Sequence, residues 1–234
     1  MTTSTLYDEN FFDDLRATAH RSAEVVVPLV LDLIAPRSVV DVGCGLGTWL
    51  SVFHDLGVED VCGIDGDYVD RRALDINADH FVAGDLSSDL VMARTFDLAV
   101  SLEVAEHLPS SRAPGLVRDL TRLAPVVLFS AAAPHQGGTG HVNGQWPEYW
   151  AALFDRHAYR AVDCIRPQLW SDERVSWWYA QNTILYVRED HLPQLPRLGS
   201  VSRWPGRVPL RMVHPGLYLQ WVDYAEQVAR ERWS

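Results

Sequence analysis

Val39-Val40-Asp41-Val42-Gly43-Cys44-Gly45-Leu46-Gly47-Thr48-Trp49 is the stretch whose reading decides the fold. The apolar, β-branched run from Ser38 to Val42 suits a strand buried on both faces. Three alternating glycines then allow a sharp turn and a close backbone approach to a ligand, and a helix is expected from Thr48. A dinucleotide fingerprint has the spacing G-x-G-x-x-G, so that a helix N-terminus meets a pyrophosphate. Here the spacing is Gly43-x-Gly45-x-Gly47, and Asp41 stands in front of it. A carboxylate in that position repels a diphosphate and suits a ligand that carries positive charge.

The next apolar run, Val61-Cys62-Gly63-Ile64-Asp65, reads as a second strand ending in an acid 22 residues after Gly43. A ribose-binding acid at the end of the second strand of such folds lies about 20 residues on, so Asp65 is expected to accept from ribose hydroxyls. With V-V-D-V-G-C-G-L-G-T-W and G-I-D-G-D together, the chain resembles the class I S-adenosylmethionine (SAM)-dependent methyltransferase family over roughly residues 36–188. The resemblance implies a Rossmann-like, doubly wound α/β fold: a seven-stranded sheet, mostly parallel, with an antiparallel last strand and a helical N-terminal lead-in. It also implies SAM as cofactor, whose ammonium and sulfonium match the acid beside the loop.

Composition agrees with one such domain. A chain of 234 residues that is 47% hydrophobic can bury one substantial core. The expected organisation is a helical cover over 1–35, a SAM-binding domain over 36–188, and an irregular segment with a closing helix over 189–234. A net charge of −11 disfavours a general nucleic-acid binder, which needs a basic footprint. No apolar run is long enough for a membrane span, and Met1 to Thr5 lacks a signal-peptide pattern, so cytoplasmic residence is the expectation. Cys44, Cys62 and Cys164 are scattered and odd in number, which suggests reduced thiols.

In chain order, Phe11, Phe12, Leu15, Ala19, Ala23 and Val26 recur at helical spacing. Pro28 is expected to break this lead-in into two helices, with Tyr7 and Phe11 as the groups a lid would use. His80 to Leu86 reads as a third strand, and the resemblance implies that Asp85 holds the adenine amino group while the backbone of Leu86 meets the ring. Phe96 to Glu103 reads as a fourth, delivering Ser101 and Glu103 to the sheet edge where open α/β folds bind ligands. With Asp41, Gly43, Gly45, Gly47, Asp65, Asp85 and Leu86, these two complete the expected cofactor set. If Glu103 to His107 form a helical turn, the two share a face, and His107 has the ordinary pKa of a base near neutrality.

A helical stripe of Leu116, Leu120 and Leu123 precedes a fifth strand over 125–131, and the alternation of strands and helices predicts a parallel sheet with helices on both faces. The following segment, residues 133–150, carries His135, Gln136, His141, Asn143 and Gln145 among glycines and is expected to cross above the cofactor. Trp146-Pro147 looks like a helix start. His135 and His141 fit neither H-E-x-x-H nor a Cys/His zinc spacing, so no metal is expected there. Residues 158–165 and 182–187 read as strands six and seven. Between them lies Tyr179, whose ring could face the sulfonium and add about 0.5 to 2 kcal/mol of cation–π attraction. Beyond His191, prolines mark irregular chain, and 217–233 reads as a helix with Trp221, Ala225 and Val228 on one side.

The resemblance implies in-line displacement of the SAM methyl by an oxygen, nitrogen or carbon nucleophile, where positioning and exclusion of water dominate. The expected activity is methylation of a small molecule at an O or N nucleophile, with His107, His135 or His141 nearest the acceptor. Two alternatives stay open: an intramolecular cyclase for which SAM itself is the substrate, with Asn143 orienting the amine and Tyr179 over the sulfonium, and a non-catalytic SAM-fold binding protein.

Overall fold

The computed structural model describes residues 9–198 and 210–233, with side chains over 16–198 and 210–232. The lid groups proposed above, Tyr7 and the side chain of Phe11, lie outside that description. The chain begins with α1 (Glu9–Ile34), followed by β1 (Ser38–Val42), α2 (Thr48–Asp55), β2 (Asp60–Asp65), β3 (Phe81–Ala83) and β4 (Leu98–Leu102). Then come α3 (Ala113–Leu123), β5 (Val126–Ser130), α4 (Pro147–Asp155), β6 (Tyr159–Val162), α5 (Arg166–Leu169), α6 (Trp177–Asn182), β7 (Ile184–Arg188) and α7 (Pro215–Trp233).

The strands form one sheet in the order β3-β2-β1-β4-β5-β7-β6. β1 to β5 are mutually parallel, whereas β7 runs antiparallel to both β5 and β6. The seven strands and the reversed last one are as expected, and the strand ends differ from the sequence reading by a few residues. The order reverses at β1, which pairs with β2 on one side and β4 on the other. In open α/β sheets the crevice beyond the strand ends at such a reversal is where ligands bind.

Side-chain alternation distributes the strands between two cores. Val39, Leu98, Val100, Val126 and Leu128 join α1 and α2 through Ala23, Val26, Val30, Leu50 and Phe53. Val40, Val42, Ala99, Val127 and Phe129 join α3 and α4 through Leu116, Leu120, Trp150 and Phe154 on the other face. Each fully buried large side chain contributes roughly 1.5 to 3 kcal/mol.

One expectation about the helices is corrected. Pro28 does not divide the lead-in, because α1 runs through it without interruption. Pro28 and Glu24, whose carbonyl loses its helical partner, are both exposed, so water can satisfy that carbonyl. The closing helix expected over 217–233 forms as α7, and Trp221 and Val228 on it are 46% and 42% exposed. The helix is seated by buried Leu217, by Gly216 against the Trp177 ring, and by the Trp221 indole N–H, which donates to the His135 carbonyl at 2.8 Å. Among the described residues no helix is long and apolar enough to cross a membrane.

Candidate active site

The glycine loop closes over the end of β2. The Gly43 and Cys44 amides both donate to the Ile64 carbonyl, at 2.8 and 3.3 Å. The Gly45 amide donates to Asp65 Oδ2 at 2.7 Å. Gly43 has φ 85, and a Cβ there would stand 2.4 Å from Val104 Cγ2, so close packing against the segment after β4 demands glycine. Gly45 has φ 54, and its Cβ position meets no atom within 4 Å. At the start of α2, Thr48 Oγ1 donates to Asp75 Oδ2 at 2.7 Å, and Asp75 also receives Arg16 from α1. One carboxylate thus ties the lead-in helix to the loop.

A cavity of about 880 Å³ opens beside this loop, with Gly43, Gly45, Asp65, Asp85, Glu103 and His107 on its wall. Leu86 also lines it, so seven of the residues expected from sequence converge on one space. Asp65 Oδ1 accepts from the Gly66 amide at 2.7 Å and from the Tyr68 hydroxyl at 2.6 Å. Asp85 accepts from the Ser87 amide and hydroxyl and the Ser88 hydroxyl, and these donors, Ser87 first, hold its pKa below the ordinary value. The segment carrying it is clamped from below by buried Arg112, whose Nε donates to the Leu86 carbonyl at 2.8 Å and whose Nη2 donates to the Ser88 carbonyl and to Asp119, each at 2.6 Å.

Glu103 and His107 do not share a helical face, contrary to expectation. Glu103 has a left-handed φ of 56, and its amide donates to the carbonyl (3.1 Å) and hydroxyl (3.0 Å) of Ser130. Only Ala105–His107 form a turn, of the 3₁₀ type. The Glu103 carboxylate instead accepts from Gln136 Nε2 at 2.9 Å and Asn182 Nδ2 at 3.1 Å. Asn182 also donates to Gln136 Oε1 at 2.8 Å, so the turn after β4, the loop after β5 and α6 meet in one polar network. Burial raises the Glu103 pKa, opposed by these donors.

Glu106 is fully buried; its Oε1 accepts from the Ala132 amide at 3.1 Å, while its Oε2 meets no donor from the other described residues and its carboxyl group lies against that of Glu103. Its carbonyl accepts from the amides of Val142 and Asn143, at 2.8 and 3.0 Å, fastening the loop after β5 to this turn. Burial, then the neighbouring Glu103 charge, raises its pKa. The His107 and His141 rings meet edge to face, with centroids 4.7 Å apart and an interplanar angle of 87°. Both have lowered pKa values: His107 through burial, opposed by a hydrogen bond with the Gly140 backbone, and His141 through burial and then the charge of His107.

The remaining expected residues stand away from the cavity wall. Asp41 is buried within β1, where desolvation and then the Asp65 charge push its pKa up to about 8. Ser101 is fully buried and donates to the Val42 carbonyl at 2.9 Å, bracing the strand that leads into the glycine loop. Gly47 begins α2 against Ile76. Tyr179 is 8% exposed, edge-on to Trp49 with centroids 5.1 Å apart. Asn143 is buried, donates to the Ala105 carbonyl at 3.4 Å and accepts from Gln145. His135 is exposed, and its carbonyl serves α7. Sequence reasoning passed over Tyr68, Glu106, Arg112 and Asn182 as site residues; only Glu106 carried a local signal, its place beside His107.

A glycine loop braced by an acid at the end of the second strand, over a carboxylate-lined cavity at the sheet's reversal point, defines a nucleoside-binding α/β protein with room for a cationic ligand. The profile of the methyltransferase-domain family matches residues 14–183, and the chain belongs to that family. It is a SAM-dependent methyltransferase. No curated protein matches the sequence significantly.

Solved structures share the fold. The sugar N-methyltransferase KedS8 from Streptoalloteichus sp. is 16% identical, with a TM-score of 0.58 over 80% of this chain and 98% of that one. CalS10, an amino pentose methyltransferase from Micromonospora echinaspora solved with SAM bound, is 16% identical with a TM-score of 0.56, over 80% and 100%. The methyltransferase domain of bacterial CtHen1-CN is 22% identical with a TM-score of 0.51, over 71% and 97%.

Proposed function

We propose that this enzyme methylates a small molecule at an oxygen or nitrogen atom. The observation that carries the reading is the cavity itself: about 880 Å³, within the range of small-ligand clefts, with Asp65, Asp67, Asp85 and Glu103 on its wall. Such a wall favours a cationic nucleoside and repels a phosphate backbone, in keeping with the net charge of −11. The names of KedS8 and CalS10 point to amino sugars as one acceptor class worth testing first.

The residues present fit SAM. The open Cβ position of Gly45 leaves space against the backbone, and Asp65, Asp85 and Glu103 supply acceptors for hydroxyl, amine and ammonium donors. Bound SAM supplies an electrophilic methyl on a sulfonium. The chain's own task is to hold both reactants in line and exclude water, and the tie between Gln136 and Glu103 keeps the loop after β5 closed against the cavity edge. The acceptor is assigned to the edge formed by His107 and His141.

The test is incubation with methyl-labelled SAM and a cell extract split by size. Label on a low-mass compound other than SAM and methylthioadenosine supports the reading; label confined to protein or nucleic acid, or to methylthioadenosine, would overturn it.

A further inference from the structure

We infer that Glu106, His107 and His141 form a binding site for a first-row divalent transition-metal cation at the edge of the cavity. A carboxylate oxygen of Glu106 and one ring nitrogen from each histidine all lie within 4.8 Å of one another. The three come from two segments, the turn after β4 and the loop after β5, brought together by the amides of Val142 and Asn143 on the Glu106 carbonyl. His107 itself lines the cavity, so the group borders the space assigned to SAM.

A second observation points to a ligand. Glu106 is fully buried with its carboxyl group against that of Glu103, and among the described residues no N–H donor satisfies its Oε2. A buried acceptor left so costs about 1 to 3 kcal/mol, more for a charged group, and a coordinated cation removes that cost. The two imidazole rings stand nearly perpendicular, His107 held by the Gly140 backbone, and among the described residues neither is ion-paired with a carboxylate. Two imidazole nitrogens and one carboxylate oxygen suit zinc, cobalt, manganese or iron better than calcium or magnesium.

Ligand atoms about 2.0 to 2.2 Å from one metal sit roughly 3 to 3.5 Å from each other. The group must therefore draw in by about 1 Å or more, and the segment that carries His141 has three glycines ahead of it, Gly137, Gly138 and Gly140, whose backbone can adjust most readily. Three protein ligands leave coordination positions open, the arrangement of sites that also bind substrate. On the acceptor edge assigned above, a hydroxyl oxygen would be a matching ligand for such a position. This last step, that the acceptor presents an oxygen, rests on the small-molecule reading; the cation site does not.

The experiment is titration of Co²⁺ into the full chain without SAM, followed by visible absorption and calorimetry, with SAM affinity measured on the same samples. One Co²⁺ per chain is expected. His141→Ala and Glu106→Gln should each weaken uptake by at least about tenfold, while His141→Cys, which keeps a ligating atom, retains it. SAM binding by His141→Ala shows that the variant is folded. No uptake by the wild type, or equal uptake by wild type and the His107→Ala/His141→Ala double variant, would overturn the site. If Co²⁺ binds but labelled methyl appears only on macromolecules, the site stands and the small-acceptor reading fails.

Discussion

The amide of Gly45 donates to the carboxylate of Asp65 across 2.7 Å, so the acid at the end of β2 holds the glycine loop in place while it also lines the cavity. Asp65 has two jobs, and its substitutions should show both. Asp65→Asn loses charge-assisted bonds worth about 1.5 to 3 kcal/mol, so SAM affinity should fall roughly 10- to 100-fold by calorimetry. Tyr68→Phe frees Asp65 Oδ1 from the tyrosine hydroxyl and should tighten SAM binding by a few-fold; weaker binding would show that Tyr68 is itself a ligand contact.

Gly43 packs where no side chain fits. Gly43→Ala places a methyl 2.4 Å from Val104 Cγ2 in a left-handed backbone, and overpacking with conformational strain should cost about 2 to 5 kcal/mol in urea unfolding. Adding Val104→Ala should restore part of that loss, a coupling of about 1 kcal/mol or more. Strict additivity of the two changes would mean that the clash is relieved elsewhere.

Asp41 makes stability depend on pH. In the folded protein its proton stays on to about pH 8, whereas the unfolded chain releases it near pH 4. Between those values the unfolded state binds fewer protons, so this contribution is full below pH 4, declines as pH rises, and is gone above about pH 8. Asp41→Asn lacks that decline. Its stability relative to wild type should therefore grow by roughly 2 to 4 kcal/mol from pH 5 to pH 8, read by urea unfolding of the SAM-free protein. A pH-independent difference would place the proton elsewhere.

Arg112 holds the Leu86 and Ser88 carbonyls and pairs with buried Asp119. Arg112→Met leaves that acid without its buried partner and should cost about 3 to 5 kcal/mol. Adding Asp119→Leu should recover most of the stability but not the SAM affinity, since the segment carrying Asp85 and Leu86 remains unclamped. Recovery of both would make the clamp purely structural.

Most of the fold was legible because its signals are local. The apolar runs at 39–42, 61–64, 98–102 and 126–129 gave the inner strands, and the Gly43 to Asp65 spacing gave the cofactor end of the site. Pro28 misled because a proline whose lost bond faces water leaves a long helix intact. The acceptor end was poorly legible because its order comes from contacts distant in sequence. Glu103 meets Gln136 and Asn182 only through the folded sheet, and His141 reaches His107 across 34 positions. His135, two residues past Ala133 in the same loop, turns outward at φ 64 and lends only its carbonyl to α7. Spacing within one loop could not separate these two histidines.

The most direct measurement is mass analysis of the nucleoside products after incubation with SAM, with and without a low-mass metabolite fraction. S-adenosylhomocysteine formed only when the metabolites are present, matched by a methyl mass gained on one of them, is the predicted result. Methylthioadenosine formed from SAM alone would contradict it, because SAM would then be consumed as the substrate without any acceptor.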